Sequence, residues 1–449
     1  MSKNKLVVIG GDAAGMSAAS KVRREEPDME IVVFERGKHT SYAACGIPYL
    51  VGGLVGSPDM LIARNPEVFR KKQNIDVRIF HEVTRIDPEK RLVLVTDVKK
   101  GREFWESWDQ LLIATGASPY VPGIEGVDTE GVFCLSTLQS GIDVFRYIEE
   151  QRPARAVVVG GGYIGIEMAE AFRDRGMDVA LIDMAEQVMI TMDPDISKLI
   201  SGYMAEQGVK VFTGEKLAGF EKGDDGRVNA VVTGSRVLEA DLVIIGVGVR
   251  PNSAIAAEAG IATGAGDAIA VSKKMETSIP GIWAAGDCAE SYHLIKKSKV
   301  YVPLGTVANK QGQVAGVNIS GGDAEFPGVI GTAITKFREM EISRTGLSEK
   351  EAGELGMEFL TTTIESPVRS GYYPGTGKMT VKLLAEKQSG RLLGGQIAGT
   401  AGSAKRIDTI ATAITAGMTV QQVVDLDLSY APPFSPVWDP VQTAARTLL

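Results

Sequence analysis

The chain has 449 residues, of which 44% are apolar and 23% are charged, as in ordinary soluble globular proteins. Its net charge of -8 argues against binding to nucleic acid or an anionic membrane, and its longest apolar runs are too short to span a bilayer. Three scattered cysteines exclude a disulfide framework and a zinc site. We therefore expect no metal site and a cytoplasmic protein of roughly two to four domains.

The first predicted unit is a strand, a glycine-containing turn, a helix and a second strand. KLVVIG (5–10) predicts a buried parallel strand, residues 13–26 predict a helix, and EIVVFE (30–35) predicts the next strand. In the turn, Asp12 occupies the middle glycine position of G-x-G-x-x-G, between Gly10 and Gly15. A carboxylate there disfavours a bound pyrophosphate unless its side chain turns away. Glu35 fits the acid that binds a ribose.

A lone cysteine follows in SYAACGIPY (41–49). Thiol–disulfide exchange requires a thiolate, and Gly46 and Pro48 would allow a helix to begin here, which would lower the pKa of the Cys45 thiol. The alternative is a small buried apolar residue, which is how we interpret Cys134 and Cys288. A cysteine without a partner can store oxidation as a mixed disulfide with a small thiol or as a sulfenic acid.

The same unit recurs about 150 residues later, in RAVVVG (155–160), a glycine turn with its helix, and VALID (179–183). Here Gly160, Gly162 and Gly165 complete G-x-G-x-x-G: the first allows the tight turn, the second the approach of a pyrophosphate, and the third close helix packing. Asp183 would bond the adenosine ribose and repel a 2′-phosphate, which favours NADH over NADPH. Two such units predict two nucleotide-binding domains.

The segments between and after these units predict domain crossings and a third domain. LLIATGASPYVPGIEG (111–126) and DLVIIGVGVRPN (241–252) each begin as a strand and end in a crossing, and IPGIWAAGDCAE (279–290) is a strand with a Gly-Asp end. From about residue 327 the pattern changes. The stretch KMTVKLLAE (378–386) predicts a strand and AKRIDTIATAITAGM (404–418) a helix, which together indicate an α+β domain.

Two further segments carry a family resemblance. ATGASP (114–119) and TSIPGIWAAGD (277–287) resemble the two signatures of the flavin-dependent pyridine nucleotide-disulfide oxidoreductases, and all segments follow the order of that family over nearly the whole chain. The resemblance implies an α/β fold with two Rossmann-like dinucleotide-binding domains, for FAD and NAD, and a C-terminal α+β dimerisation domain. It implies an FAD-binding domain at 1–118 and 246–326, an NAD(P)H-binding domain at 119–245 and a dimerisation domain at 327–449.

The fingerprints and the resemblance together assign residues to each cofactor. In the family, the aspartate of the second signature, here Asp287, bonds the ribityl chain of FAD. The residues expected at FAD are Gly10, Ala14, Gly15, Glu35, Thr115, Gly116, Gly286 and Asp287. The residues expected at NADH are Gly160, Gly162, Gly165 and Asp183.

SYAACGIPYLVGG resembles the motif of the single-cysteine branch of the family, S-[FY]-x-x-C-x-x-P. That branch contains coenzyme A-disulfide reductases, CoA-dependent persulfide or polysulfide reductases, NADH oxidases and NADH peroxidases. Relatives of glutathione reductase carry a second cysteine where this chain has Leu50. The segments SGYYPGTGKM (370–379) and AGSAKRID to LSYAPPFSP (401–436) look most like coenzyme A-disulfide reductases.

In those reductases, tyrosines of corresponding segments reach across the dimer interface toward the redox sulfur. This implies catalytic roles for Tyr430 and for Tyr372, with Tyr373 as the alternative to Tyr372, beside the redox residue Cys45. A phenol can donate a hydrogen bond to a leaving thiolate. The structural alternative is an ordinary amphipathic tyrosine at an interface.

Coenzyme A ends in an anionic 3′-phosphate-ADP, which requires basic and polar groups at some distance from Cys45. Three candidates are spaced along one face of the first helix, and that face could equally be a solvated surface. One departure from the family pattern is Ala44, where relatives often have asparagine. The residues expected at the substrate are Ser17, Lys21, Arg24, Ser41, Arg64 and Lys72.

The sequence therefore predicts a homodimeric flavoprotein that passes electrons from NADH through FAD to Cys45, and on to a small coenzyme A disulfide or a CoA persulfide or polysulfide. Two alternatives stay open. One is an NADH oxidase or peroxidase with a Cys45 sulfenic acid. The other is a non-catalytic NADH-binding flavoprotein, against which the cysteine motif argues. Oxidase relatives often have histidine in the first glycine loop, where this chain has Asp12 and Ala13.

Overall fold

Residues 4–449 are described by the computed structural model, and three five-stranded sheets organise this part of the chain. The first sheet is entirely parallel, and its central strand is the predicted first strand. The side chains of Leu6, Val7 and Val8 are fully buried, as expected for a strand covered on both faces. The strands follow one another across this sheet in the order Ile282–Ala284, Gln110–Ile113, Lys5–Ile9, Glu30–Glu35 and Asp76–Ile79.

Two helices on this first unit pack closely against each other, Ala13–Glu25 and Gly305–Ile319. Contact is close because the second helix presents glycines: a Cβ on Gly312 would overlap the backbone of Ala14, and one on Gly316 would lie 2.8 Å from the Cβ of Lys21. The unit is completed by the helices Pro66–Gln73 and Ala254–Glu258 and by the antiparallel strands His81–Asp87, Leu92–Asp97 and Arg102–Ser107.

The second unit repeats this plan around another parallel sheet. Its order is Val209–Phe212, Asp178–Ile182, Arg155–Val159, Leu242–Ile245 and Val132–Cys134. The helices are Leu138–Gln151, Tyr163–Asp174 and Pro194–Glu206, and a small antiparallel sheet contains Leu217–Lys222, Val228–Thr233 and Val237–Glu239. The strand and helix predicted around the second glycine loop are therefore present.

The chain crosses between the two units along a two-stranded antiparallel ribbon, Ala117–Pro119 with Val249–Pro251. Asn252 fastens this ribbon through two bonds to Thr115. Its side-chain amide donates to the backbone carbonyl of Thr115 at 2.8 Å, and its backbone carbonyl accepts from the Thr115 hydroxyl at 2.6 Å. The predicted boundaries at 118/119 and 245/246 lie in or near this ribbon and stay predictions. The first three residues of the predicted FAD-binding domain lie outside the described residues.

The third unit is an antiparallel sheet in the order Ala333–Phe337, Met340–Gly346, Leu392–Gly399, Lys378–Glu386 and Phe359–Pro367. The strand predicted at 378–386 matches one of these. The helix predicted at 404–418 is shorter, because a 3-10 turn occupies Ala404–Arg406, the α-helix runs only over Ile407–Thr415, and Gly417 takes a positive φ of 68°. Its other helices are Glu349–Glu354, Val420–Val424 and Pro440–Arg446.

A buried lysine fastens the third unit to the second. The Lys382 side chain is only 6% exposed and pairs with Asp195 and Glu349 at 2.8 Å and with Asp193 at 3.2 Å. Gln396 donates to the Asp193 carboxylate and accepts from its backbone N–H, both at 2.8 Å. Because Lys382 and Asp193 are buried, their pairing fixes how the two units meet.

The remaining short elements are the helix Ile47–Val51 and the strands Ser291–His293 and Ser298–Val300. Among residues 4–449, no helix has the length and apolarity that crossing a membrane requires.

Candidate active site

The first glycine loop is a tight turn that only glycine permits at two positions. Gly10 has a φ of 107°, and a Cβ there would overlap the carbonyl oxygen of Ala114, the first residue of the ATG segment. A Cβ on Gly15 would overlap the carbonyl oxygen of Gly10. The structure thus brings Gly10, Ala14 and Gly15 together with the ATG segment, at the carboxyl end of the central strand.

The second glycine loop has the same geometry. Gly160 has a φ of 105°, and a Cβ on it would overlap the carbonyl oxygen of Gly246. Gly165 is close to the carbonyl oxygen of Gly160 in the same way. At Gly162, in contrast, nothing lies within 4 Å of the position of a Cβ. This open position next to a helix N-terminus can accept a pyrophosphate.

The two predicted ribose acids are held alike. Glu35 accepts from the backbone N–H groups of Gly11 at 2.9 Å and Gly37 at 2.7 Å. Asp183 accepts from the backbone N–H groups of Gly161 at 2.6 Å and Ala185 at 2.7 Å. Each carboxylate is therefore fixed beside its glycine loop at the end of the second strand, where a ribose of a bound dinucleotide can reach it.

Asp287 provides the test of whether FAD fits. Burial raises the pKa of its carboxyl group, and its Oδ1 atom is buried with no hydrogen-bond partner in the described part of the chain. A buried acceptor that lacks a donor is rare in proteins and indicates a missing ligand group. The preceding Gly286 has a φ of 84° and lies against Ala14. A ribityl hydroxyl would satisfy Asp287, so these residues fit FAD.

The other two predicted FAD residues belong to the ATG segment. Thr115 uses its hydroxyl in the bond to Asn252 described above, whereas Gly116 has a φ of 68° and nothing within 4 Å of the position of a Cβ. Both therefore lie where the first loop meets the crossing ribbon.

Cys45 lies on a segment held by both nucleotide-binding units. The residue is exposed and belongs to a 3-10 turn, Ala44–Gly46, that leads into the helix Ile47–Val51. On the side of the second unit, the guanidinium of Arg175 donates to the Val51 carbonyl at 2.8 Å, and a Cβ on Gly52 would lie 3.2 Å from the Cα of Ala171. The cysteine is thus positioned between the two predicted dinucleotide sites.

The expectation of a lowered thiol pKa is wrong. Partial burial raises the pKa of Cys45 above its ordinary value, and the carboxyl groups of Glu167, Asp287 and Asp12 add to this effect. The helix that follows has only five residues, so its dipole is too small to offset them. Formation of the thiolate in the protein alone therefore requires a higher pH than for an ordinary cysteine.

Glu167 is a site residue that the sequence reasoning missed. It lies on the helix Tyr163–Asp174, accepts from the hydroxyl of Thr335 at 2.8 Å, and burial raises the pKa of its carboxyl group. Its helical spacing with Glu170 and Asp174 could have indicated an acidic face. A shallow cleft beside the helix Ile47–Val51 is lined by Pro48, Tyr49, Gly52, Leu54, Glu167, Glu170, Ala171 and Asp174.

The predicted substrate residues on the helix Ala13–Glu25 form hydrogen bonds with side chains of the helix Gly305–Ile319. Ser17 donates to Asn309 at 2.7 Å, and Arg24 donates to Gln313 at 3.5 Å. Lys21 forms an ion pair with Glu25 at 2.5 Å, which offsets part of its charge. Asn309 and Gln313 were not identified from the sequence because they lie about 290 residues further along the chain.

The other three predicted substrate residues lie beside this helix pair. The backbone N–H of Arg64 donates to the carbonyl of Ser41 at 3.4 Å, which joins these two residues. Lys72 is exposed on the helix Pro66–Gln73. That helix contacts the first one through a bond from the Ser20 hydroxyl to Gln73, at 2.8 Å.

The predicted tyrosines lie on an exposed face of the third unit. Tyr372 and Tyr430 are neighbours, and Tyr430 raises the pKa of Tyr372. Tyr373 lies apart from this pair, with the guanidinium of Arg369 6.0 Å from its ring centroid. We call the surrounding exposed residues the aromatic surface: Tyr372, Tyr430, Phe434, Val437 and Trp438.

Neither of the other cysteines has surroundings like those of Cys45. Cys288 is fully buried, and its thiol lies 3.4 Å from the carbonyl oxygens of Ile113 and Ala285. Cys134 is half-buried at the end of an edge strand. No cluster of histidine, cysteine, aspartate or glutamate side chains that could hold a metal ion occurs within residues 4–449.

Comparison with known protein families shows the family to which this chain belongs. The family model described as pyridine nucleotide-disulphide oxidoreductase matches residues 4–312, and the model of that family's dimerisation domain matches residues 332–440. The chain belongs to the pyridine nucleotide-disulphide oxidoreductases. This membership confirms the predicted fold, the enzyme class and the cofactors FAD and NAD(P)H.

Three named proteins are similar to this chain over nearly its whole length. The chain is 43% identical to "NAD(P)H sulfur oxidoreductase (CoA-dependent)" of Pyrococcus furiosus, over 100% of both chains. It is 37% identical to an "NADH oxidase" of Methanocaldococcus jannaschii, over 99% of this chain and 98% of the relative. A solved NAD-dependent persulfide reductase from A. fulgidus is 41% identical with a TM-score of 0.95, over 99% of this chain and 82% of that one.

Proposed function

We propose that this oxidoreductase transfers electrons from NADH to a coenzyme A persulfide, polysulfide or disulfide through Cys45. The observation that carries the proposal is the exposed cysteine on a segment held between two dinucleotide-binding units. Bound FAD would supply the two-electron carrier between the nicotinamide and the sulfur. The reactions balance as CoA-S-SH + NADH + H⁺ → CoA-SH + H₂S + NAD⁺, and as CoA-S-S-CoA + NADH + H⁺ → 2 CoA-SH + NAD⁺.

In this reaction Cys45 attacks the sulfur–sulfur bond as a thiolate. The bond from Cys45 to one substrate sulfur forms while the other sulfur leaves with the electron pair and takes up a proton. The resulting mixed disulfide is then reduced by the two electrons that NADH supplies, which regenerates the Cys45 thiolate and releases the second thiol after it takes up a proton. A single cysteine is sufficient for this cycle, because the small thiol takes the place of a second protein cysteine.

Residues that we assign to the cofactors surround the two glycine loops. The backbone of Gly10 and Gly15 would face the FAD pyrophosphate, while Glu35 would bond the adenosine ribose and Asp287 the ribityl chain. Ala14, Thr115, Gly116 and Gly286 would complete the FAD site. Gly160, Gly162, Gly165 and Asp183 would bind NADH, and the fixed carboxylate of Asp183 supports a preference over NADPH.

The surface formed by the helices Ala13–Glu25 and Gly305–Ile319 supports coenzyme A as the thiol carrier. It offers the cations Lys21 and Arg24 together with amide and hydroxyl groups, as a phosphorylated nucleotide requires. We include Ser17, Ser41, Arg64 and Lys72 in the same site. The names of relatives that include coenzyme A support this assignment as well.

We propose a homodimer in which the aromatic surface is covered by a second copy. Tyr372 is 76% exposed and Phe434 is also 76% exposed in the single chain, which is unusual for large apolar groups that lie together. In the dimer, Tyr372 and Tyr430 would approach the redox sulfur of the other subunit and donate hydrogen bonds to the leaving thiolate. We also propose the domain boundaries given above and a cytoplasmic location.

The substrate is tested by measuring anaerobic NADH oxidation with three acceptors: CoA persulfide, CoA disulfide and pantethine, a disulfide that lacks the 3′-phosphate-ADP. We expect turnover with the CoA acceptors and a much higher KM for pantethine. Removing both Lys21 and Arg24 by substitution to alanine should raise KM for the CoA acceptors on the order of 10-fold. The double substitution should leave KM for pantethine unchanged. The control Lys198→Ala should leave KM unchanged for all three acceptors.

Equal KM values for pantethine and CoA disulfide would contradict the assignment of coenzyme A. Fast oxidation of NADH by oxygen, with no turnover of any disulfide or persulfide, would instead support the NADH oxidase that one relative is named for. The intact mass of the native protein adds a direct check, because a coenzyme A adduct on Cys45 disappears in Cys45→Ser.

A further inference from the structure

Asp12, the residue that interrupts the first glycine fingerprint, has a specific hydrogen-bond partner outside the loop. Aspartate directly before a helix normally accepts from the first backbone N–H groups of that helix. Asp12 makes no such capping bond to the helix Ala13–Glu25. Its Oδ1 atom accepts instead from the backbone N–H of Tyr42, at 3.2 Å. The side chain has turned away from the loop toward the segment that carries Cys45.

A second bond lies next to the first. The backbone N–H of Ser41 donates to the carbonyl of Gly11 at 3.1 Å, so two successive amides are held by two successive loop residues. Ser41 has a φ of 48°, a conformation that residues with a Cβ adopt only when neighbouring contacts hold them there. The bonds that Gly11 and Asp12 accept are such contacts, and their donors, Ser41 and Tyr42, lie four and three residues before Cys45.

The ionisable groups that couple most strongly to Asp12 are acidic or neutral at pH 7. They are Glu35 on the second strand, Asp287 after the Gly-Asp strand, and Tyr42 and Cys45 on the redox segment. Arg36 acts on the adjacent Tyr42. Burial first, and then Glu35 and Asp287, raise the pKa of Asp12 to about 7. Its carboxyl group therefore changes charge near neutral pH. The ionised form accepts the stronger hydrogen bond.

We propose that Asp12 is a positioning residue for the redox sulfur, whose carboxyl group holds residues 41–45 on the first glycine loop. The inference rests on the proposed role of Cys45. Asp12 touches neither substrate nor sulfur and acts through the backbone of Tyr42. Its change of charge also makes the reactivity of the sulfur depend on pH near neutrality.

Two variants of the holoenzyme distinguish the effect of the hydrogen bond between Asp12 and Tyr42 from the effect of the charge on Asp12. Asp12→Asn keeps an oxygen acceptor without charge, whereas Asp12→Gly removes the acceptor and restores the G-x-G-x-x-G pattern. We expect Asp12→Gly to lower kcat/KM for CoA disulfide on the order of 10-fold, with FAD content and flavin reduction by NADH unchanged. Asp12→Asn should stay within about threefold of the wild type, because it can still accept from Tyr42.

The second readout is the rate at which iodoacetamide alkylates Cys45 in the NADH-reduced protein, followed by mass spectrometry at pH values on either side of 7. The wild type should show an inflection near the pKa of Asp12, about 7, that is absent from both variants. An Asp12→Gly protein with unchanged disulfide reduction and an unchanged alkylation profile overturns the inference. Loss of FAD or slow flavin reduction in that variant also overturns it, by assigning Asp12 to the cofactor. Failure of the proposed function differs from both, because the wild type would then reduce no CoA disulfide.

Discussion

The two dinucleotide-binding units share one device and use it for different purposes. In each, the chain that leaves the second strand turns back and donates a backbone N–H to the residue after the first glycine: Ser41 to Gly11 at 3.1 Å, and Met189 to Gly161 at 2.7 Å. In the first unit this returning segment carries Cys45. In the second it continues to Asp193 and the buried charges of the third unit.

This difference explains how one duplicated scaffold performs two tasks. The returning segment of the first unit is not part of the charge cluster around Lys382. It carries the exposed Cys45 and brings its sulfur toward the space between the two units. The returning segment of the second unit is fastened, since Arg344 donates to the carbonyl of Thr191 and Gln396 bonds Asp193. We expect the fastened segment to give the second unit a rigid dinucleotide site, and the exposed one to present Cys45 to the proposed substrate.

We expect the largest difference between two variants when glycine is replaced by alanine at Gly10 in the first glycine loop and at Gly162 in the second. Gly10→Ala would place a Cβ on the backbone of Ala114 at a φ of 107°, so we expect loss of FAD and of folded protein. Gly162→Ala meets no protein atom, and we expect a normal unfolding temperature and FAD content, with KM for NADH raised on the order of 10-fold. Flavin absorbance per chain, thermal unfolding and NADH titration measure these quantities. A folded, yellow Gly10→Ala protein would contradict the comparison.

The anchoring of the second returning segment is broken by Lys382→Met. This substitution leaves Asp193 buried without its cation, and we expect a loss of about 3–5 kcal/mol in the free energy of unfolding. The control is Lys387→Met, an exposed lysine paired with Glu358, which should change stability by about 0.5 kcal/mol or less. Denaturant unfolding of both variants provides the test, and equal stabilities would show that the cluster does not hold the two units together.

The two ribose acids offer a smaller and more selective contrast. Asp183→Ala should narrow the preference for NADH over NADPH about 10-fold, a change of about 1.4 kcal/mol, because the 2′-phosphate no longer meets a carboxylate. Glu35→Ala should weaken retention of FAD and leave the coenzyme preference as it is. The ratios of kcat/KM for the two coenzymes decide the matter. A wild type that uses NADPH as well as NADH would show that another residue sets the preference.

The narrowest contrast is confined to one range of pH and concerns the stability of the fold at the middle loop position, Asp12. Because the pKa of Asp12 is raised to about 7 in the folded protein, its ionised form disfavours the fold, and the wild type loses stability as pH rises from about 4 to about 7. Asp12→Asn should therefore exceed the wild type by about 3–4 kcal/mol above pH 7 and match it near pH 4. Urea unfolding at both pH values measures this difference, and a variant that is less stable at the higher pH would reverse the sign.

The two nucleotide-binding units could be predicted because their information is local. The strands Lys5–Ile9 and Glu30–Glu35 are continuous apolar runs, and their glycine turns leave a pattern that reads directly from the sequence. The pKa of Cys45 could not be predicted, because the carboxyl groups of Glu167 and Asp287 reach it from distant parts of the chain. Asn309 was missed for the same reason, since only the fold places it beside Ser17.

The most direct test of the account is the Cys45→Ser variant, measured on both sides of the flavin. Serine can neither exchange with a disulfide nor hold a mixed one, so reduction of CoA disulfide and CoA persulfide should fall at least about 1,000-fold. Stopped-flow reduction of the flavin by NADH should stay within about twofold of the wild type, because the second unit is untouched. A Cys45→Ser protein that reduces CoA disulfide at nearly the wild-type rate would show that the cysteine is a packing residue, and the account would be wrong.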